Sequence, residues 1–130
     1  MKTESQFNTW IRKQLYENSN GRCVIERLES TVGNGIFDLF VLLAHKVLFI
    51  ESKFETQTLR SEQYALQIKA STVVENDVCK VMAVCAYPKT NRFVVNTYTV
   101  DSIQENGIKP TTTETYELNK EGFKMFYQNL

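Results

Sequence analysis

The sequence predicts an α/β fold in which a central mixed β-sheet is flanked by helices. Three observations carry this. Segments 4–17 and 59–75 repeat apolar residues at helical spacing. Five shorter segments between and after them read as strands, one by imperfect alternation and the others as largely apolar or β-branched and aromatic runs. The chain has 130 residues, 42% of them hydrophobic and 23% charged, which suits one domain, 1–130, that buries its own core.

The elements follow in order. In 4–17, Phe7, Trp10, Ile11, Gln14 and Leu15 share one face. Thr3 caps this helix, with Gln6 completing a capping box, and Asn18-Ser19-Asn20-Gly21 stops it. Residues 22–30 alternate as a strand. Gly33-Asn34-Gly35 is a turn or close-approach loop. Ile36 to Leu43 and Val47 to Phe54 are two strands joined tightly through Ala44-His45-Lys46, hence a hairpin. Thr58 caps the helix over 59–75, whose stripe is Leu59, Leu66, Ala70 and Val73. Lys80 to Tyr87 is a strand ended by Pro88, and Arg92 to Val100 is the next. Thr113 to Leu118 reads as a short strand. Asn119 caps a last helix carrying Phe123, Phe126 and Tyr127.

Composition excludes several classes. No stretch of about 18 apolar residues exists to span a membrane. The first residues are charged and amphipathic, unlike a signal peptide, so a cytoplasmic protein is expected, of cellular or phage origin. Cys23, Cys79 and Cys85 are too few and too scattered for a disulfide framework or a zinc site and read as buried thiols. His45 is the only histidine, which speaks against mechanisms that need two. Gly33-Asn34-Gly35 lacks the Lys-Ser/Thr of a phosphate-binding loop, so no nucleotide cofactor is expected. Formal net charge is zero, which leaves room for a basic face beside acidic metal ligands.

The polar exceptions in the apolar runs are informative. Both faces of 36–43 and 47–54 read as buried, and a carboxylate there is costly unless it is paired or binds a metal. Asp38 and Glu51 are two such carboxylates, and Lys53 shares the face of Glu51. Asp38 joins them only if the turn allows it. If Leu43 faces Val47, Asp38 points to the other face. If Leu43 faces Leu48, or Ala44 faces Val47, Asp38 stands opposite Lys53 and diagonal to Glu51. An even-length turn or a compensating bulge is expected. Two close carboxylates then make an oxygen site for Mg²⁺ or Mn²⁺, which polarises a phosphodiester and acidifies water. Lys53 would orient that water or stabilise charge in the transition state.

Gly35-Ile36-Phe37-Asp38-Leu39, Leu48-Phe49-Ile50-Glu51-Ser52-Lys53 and Leu59-Arg60-Ser61-Glu62-Gln63 together resemble the PD-(D/E)XK nuclease superfamily. Within it they are most similar to the stand-alone VRR-NUC and Holliday-junction-resolvase-like nucleases. The resemblance covers about Glu4 to Tyr87, with Phe37 where that family often has Pro. It implies a restriction-endonuclease-like fold, an αβββαβ core plus C-terminal additions. It implies that Asp38, Glu51 and the Ser52 backbone carbonyl bind the metal and that Lys53 is the catalytic lysine. Gln63 would contact water or phosphate. Glu4 is the best-placed match for a first-helix glutamate that completes the site, with Glu17 as substitute. Gly35 would let the backbone approach DNA. Arg60 and Gln67, on the helix face of Gln63, could track a phosphate backbone. The implied activity is Mg²⁺- or Mn²⁺-dependent hydrolysis of DNA, branched DNA included, by a homodimer with water as nucleophile.

Plainer readings stand beside these. Asp38 could instead cap a turn or form a buried ion pair with Lys53, and in a structural or interaction protein the buried acids would pair with Lys53 and Arg27. Glu4 could serve the helix dipole, and Gln63 and Lys69 could be solvated helix residues. Tyr64, Phe93, Tyr98 and Trp10 read as packing, and His45 as a solvated turn residue. The alternative function is a nuclease-fold module that binds nucleic acid or a protein partner without cutting.

Overall fold

The computed structural model describes residues 1–28, 37–56, 61–73 and 78–130, without the side chains of 61–63. The helices are α1 (Glu4–Asn18), α2 (Ser61–Ser71) and α3 (Lys120–Gln128). The strands are β1 (Val24–Arg27), β2 (Leu39–Leu42), β3 (Val47–Phe54), β4 (Cys79–Tyr87), β5 (Arg92–Tyr98), β6 (Ile103–Gln104), β7 (Gly107–Ile108) and β8 (Thr112–Glu117). Six of them form one sheet in the order β1-β2-β3-β4-β5-β8, and β6 pairs with β7 alone. Among the described residues only β3 and β4 pair in parallel, with α2 between them in the chain; the other pairs in the large sheet are antiparallel. The chain therefore has the mixed sheet, flanked by helices, of the restriction-endonuclease-like αβββαβ type, extended by β5 to α3.

The two faces carry separate cores. Phe7, Ile11 and Leu15 of α1 and Phe123 and Phe126 of α3 pack against Leu48, Ile50, Met82, Val84 and Phe93 on one face. On the other, Tyr64 and Ile68 of α2 pack against Phe37, Val81, Ala83 and Tyr98. Strand β3 feeds both. Its alternating residues Leu48, Ile50 and Ser52 are buried, and Phe49, Glu51 and Lys53 are half-buried.

The structure changes several sequence expectations. Thr3 caps α1 by accepting from the Gln6 N–H, but Gln6 reaches back one residue further, to the Lys2 N–H at 2.6 Å. The first strand is only Val24–Arg27, and three of its four side chains are exposed, as on a sheet edge. The apolar stripe assigned to α2 is the wrong one. Leu66 is 72% exposed, Ala70 is exposed, and Val73 lies beyond the helix at 84%. Tyr64 and Ile68, also one turn apart, face the sheet instead, because an aromatic and an isoleucine bury more surface than an alanine. Thr58, Leu59 and Gly33-Asn34-Gly35 lie outside the described residues. Among the described residues no helix is long and apolar enough to cross a membrane. The cysteines are free, with only Cys85 fully buried, and His45 is an exposed turn residue.

Candidate metal centre

The connection between β2 and β3 is even in length, but not by either pairing expected. Leu42 faces Val47 across four residues, closed by the Leu43 N–H on the Lys46 carbonyl at 2.8 Å, and Leu39 faces Ile50. The next position along the ladder sets Asp38 opposite Glu51, not opposite Lys53. Asp38 is also not a strand residue. It occupies a bend immediately before β2, where the two strands stop exchanging backbone bonds.

That stop leaves a vacancy which the Asp38 side chain fills. Ser52 is two residues beyond Ile50, so its N–H points to the side that β2 has left. Asp38 Oδ2 accepts from this N–H at 2.8 Å and from the Ser52 hydroxyl at 2.8 Å. Asn8 of α1 then donates from Nδ2 to Ser52 Oγ at 3.3 Å. Ser52 is 1% exposed and Asn8 6%.

Glu4 lies one turn before Asn8 on α1, so the same docking brings its carboxylate to this end of the sheet. One carboxylate oxygen from each of Glu4, Asp38 and Glu51 lies within 4.8 Å of the other two. Lys53 Nζ stands 4.0 Å from Glu51 Oε1. Glu17, the substitute for Glu4, is at the other end of α1 and 4.0 Å from Lys120 Nζ. Arg27 is exposed on β1 and is not among the cluster's partners.

The electrostatics follow from this crowding. Burial pushes the Glu51 carboxyl up to about 8, helped by the charge of Asp38 and by a hydrogen bond between the two, with Lys53 opposing. Burial and Asp38 also raise Glu4, again against Lys53. Fully ionised, the three carboxylates would carry more negative charge than Lys53 balances, so the metal-free cluster retains protons that a cation would displace. Oxygen donors at this spacing suit a hard divalent ion such as Mg²⁺ or Mn²⁺.

Two further polar groups border the site. The Tyr64 and Tyr98 rings lie 5.1 Å apart between α2 and the sheet. Both hydroxyls are buried without a hydrogen-bond partner among the described residues. Burial raises both phenols, Tyr98 to about 12, and the charge of Glu51 adds to the rise at Tyr64.

Asp38, Glu51, Glu4 and Lys53 are therefore brought together, and Ser52 lies between Glu51 and Lys53 on β3. Gly35 and Arg60 fall outside the described residues, as does the side chain of Gln63. Gln67 is half-buried on α2. Sequence reasoning passed over Asn8 and the Ser52 side chain. The signal for Asn8 was an amide in register with Ile11 and Leu15, a position otherwise apolar. The signal for Ser52 was its parity, which turns it from the face of Glu51 towards α1.

No family model matches the chain, and no curated protein matches it. Among solved structures the chain is similar to Hjc, a Holliday junction resolvase from the archaeal hyperthermophile Archaeoglobus fulgidus. The two are 16% identical, with a TM-score of 0.45, over 77% of this chain and 82% of that chain.

Proposed function

We propose that this protein is a metal-dependent deoxyribonuclease that hydrolyses phosphodiester bonds with water as the nucleophile. The observation that carries the reading is the cluster of Glu4, Asp38 and Glu51 with Lys53 beside it. Structural ion pairs bring opposite charges together, whereas three carboxylates converging on one lysine do not stabilise an empty site.

Asp38, Glu51 and Glu4 would hold Mg²⁺ or Mn²⁺. The Ser52 carbonyl would join them, since N–H and C=O of one strand residue point to the same side. When bound, the cation supplies Lewis acidity towards a phosphodiester and lowers the pKa of water. The chain's own residues do the rest. Asp38 and Glu51 fix where the scissile phosphate can sit. Lys53 orients the attacking water and places positive charge where the transition state gains negative charge. Gln63 would contact water or phosphate. Gly35, Arg60 and Gln67 would follow the DNA backbone. The motif resemblance extends the substrate to branched DNA and the assembly to a homodimer, in which two sites related by a two-fold axis could cut paired strands.

The test is cleavage of linear, flap and four-way-junction DNA with Mg²⁺ or Mn²⁺, beside the Asp38→Ala protein. Cleavage by the wild type alone supports the reading. Equal cleavage by both overturns the site, and DNA binding without cleavage by either favours a non-catalytic binding module.

A further inference from the structure

We propose that Asn8 and Ser52 are positioning residues for the metal centre. They form a two-step side-chain relay from α1 through the sheet that fixes the Asp38 carboxylate. The inference rests on the nuclease reading and deepens it.

The relay has a defined direction. Asp38 Oδ2 accepts from the Ser52 N–H and from the Ser52 hydroxyl, both at 2.8 Å. The hydroxyl has one proton, and it is spent on Asp38, so Ser52 Oγ is free to accept. Asn8 Nδ2 fills that role at 3.3 Å, from a helix on the opposite face of the sheet from α2. Reversing the Asn8 amide would set its oxygen against a hydroxyl oxygen that has no proton left to give. In the orientation found, Asn8 Oδ1 is buried without a partner among the described residues. An unpartnered buried acceptor is costly, and a hydrophobic residue here would continue the stripe of Ile11 and Leu15. The amide is therefore explained by what its donor does for Ser52.

The geometry at Asp38 completes the case. Both Ser52 donors converge on Oδ2, which restricts the rotation of the carboxylate that also hydrogen-bonds Glu51. Partners that orient a ligand in this way commonly set metal affinity by about 10-fold to 100-fold. Neither Asn8 nor the Ser52 hydroxyl needs to touch substrate or metal.

The test is Mn²⁺ titration by calorimetry on wild type, Asn8→Ala, Ser52→Ala, Ser52→Thr and the Asn8→Ala/Ser52→Ala double variant. Melting of the chelator-treated proteins is followed in parallel. Ser52→Ala is expected to weaken Mn²⁺ binding about 10-fold, and Asn8→Ala several-fold, both with altered cleavage. Ser52→Thr, which keeps the hydroxyl, restores most of the affinity. The double variant binds no worse than Ser52→Ala, because Asn8 acts only through the hydroxyl. Wild-type affinity in Ser52→Ala, additive losses in the double variant, or losses that merely follow apo melting overturn the relay. A wild type that binds Mn²⁺ while Ser52→Ala binds it equally well overturns the relay alone. A wild type that neither binds Mn²⁺ nor cuts DNA overturns the nuclease reading, and the relay with it.

Discussion

Ser52 gives both its backbone N–H and its hydroxyl to the same oxygen of Asp38, each at 2.8 Å. The residue between Glu51 and Lys53 thus joins the bend before β2 to the strand that carries the other two charges.

Lys53 and the carboxylates should separate in their effects. Lys53 Nζ opposes the upward shift of both Glu51 and Glu4, so it competes with any cation for them. Lys53→Met should lower the cleavage rate by roughly 100-fold or more. Mn²⁺ should bind it as tightly as wild type, or more tightly. Weaker metal binding in Lys53→Met, measured by calorimetry, would contradict a purely electrostatic role at the phosphate.

The metal-free protein should lose stability as pH rises. Glu51 titrates near 4.5 when unfolded and near 8 when folded. Between those values the native state holds a proton that the unfolded state has released. Its contribution is complete below pH 4.5, is lost progressively between there and about 8 and is gone above, a change of roughly 3 kcal/mol once solvent screening is allowed for. Urea unfolding with chelator at several pH values measures the slope. Glu51→Gln should flatten it and raise stability at pH 8.5. The same slope in both proteins would remove Glu51 as its source.

Tyr64→Phe should stabilise the fold. The Tyr64 hydroxyl is buried without a partner, and the ring makes an edge contact with Phe37 at 4.9 Å between centroids, which Phe retains. Removing an unsatisfied hydroxyl is worth about 1 kcal/mol, or ~3 °C in melting temperature at this size. A lower melting temperature would mean that the hydroxyl has a partner worth keeping.

Gly122→Ala should be among the more damaging single changes. Gly122 stands in the first turn of α3, its N–H on the Asn119 cap at 2.8 Å. A Cβ there would lie 1.9 Å from the Glu117 carbonyl oxygen, which belongs to the end of β8. Backbone cannot move aside as a flexible side chain can, so a loss of about 2–3 kcal/mol is expected. Chemical denaturation checks it, and a change under 0.5 kcal/mol would contradict the close approach.

Much of the architecture was legible in the sequence because strand and helix periods are local properties. The β3 run, the Pro88 stop and the Asn119 cap each depend on neighbours in the chain. The α2 stripe was misread because Leu66 and Ile68 are both apolar, and only the sheet decides which one it receives. Register was only half legible. Parity followed from the need to unite Asp38 with Glu51, but the partner of each residue depends on how the turn closes at Leu43 and Lys46. At the site, Asp38, Glu51 and Lys53 stood out as charges in apolar strands. Asn8 and Ser52 did not, because their link spans two elements far apart in sequence and shows only when α1 is docked.

The alternation of β3 has a consequence for anyone who would transplant this chemistry. Glu51 and Lys53 face one way and Ser52 the other, into the layer built by α1. Grafting the tripeptide onto a strand of a foreign scaffold would carry the charges and leave behind what holds Asp38 in place. The smallest portable unit is the hairpin together with the first helix, docked as it is here.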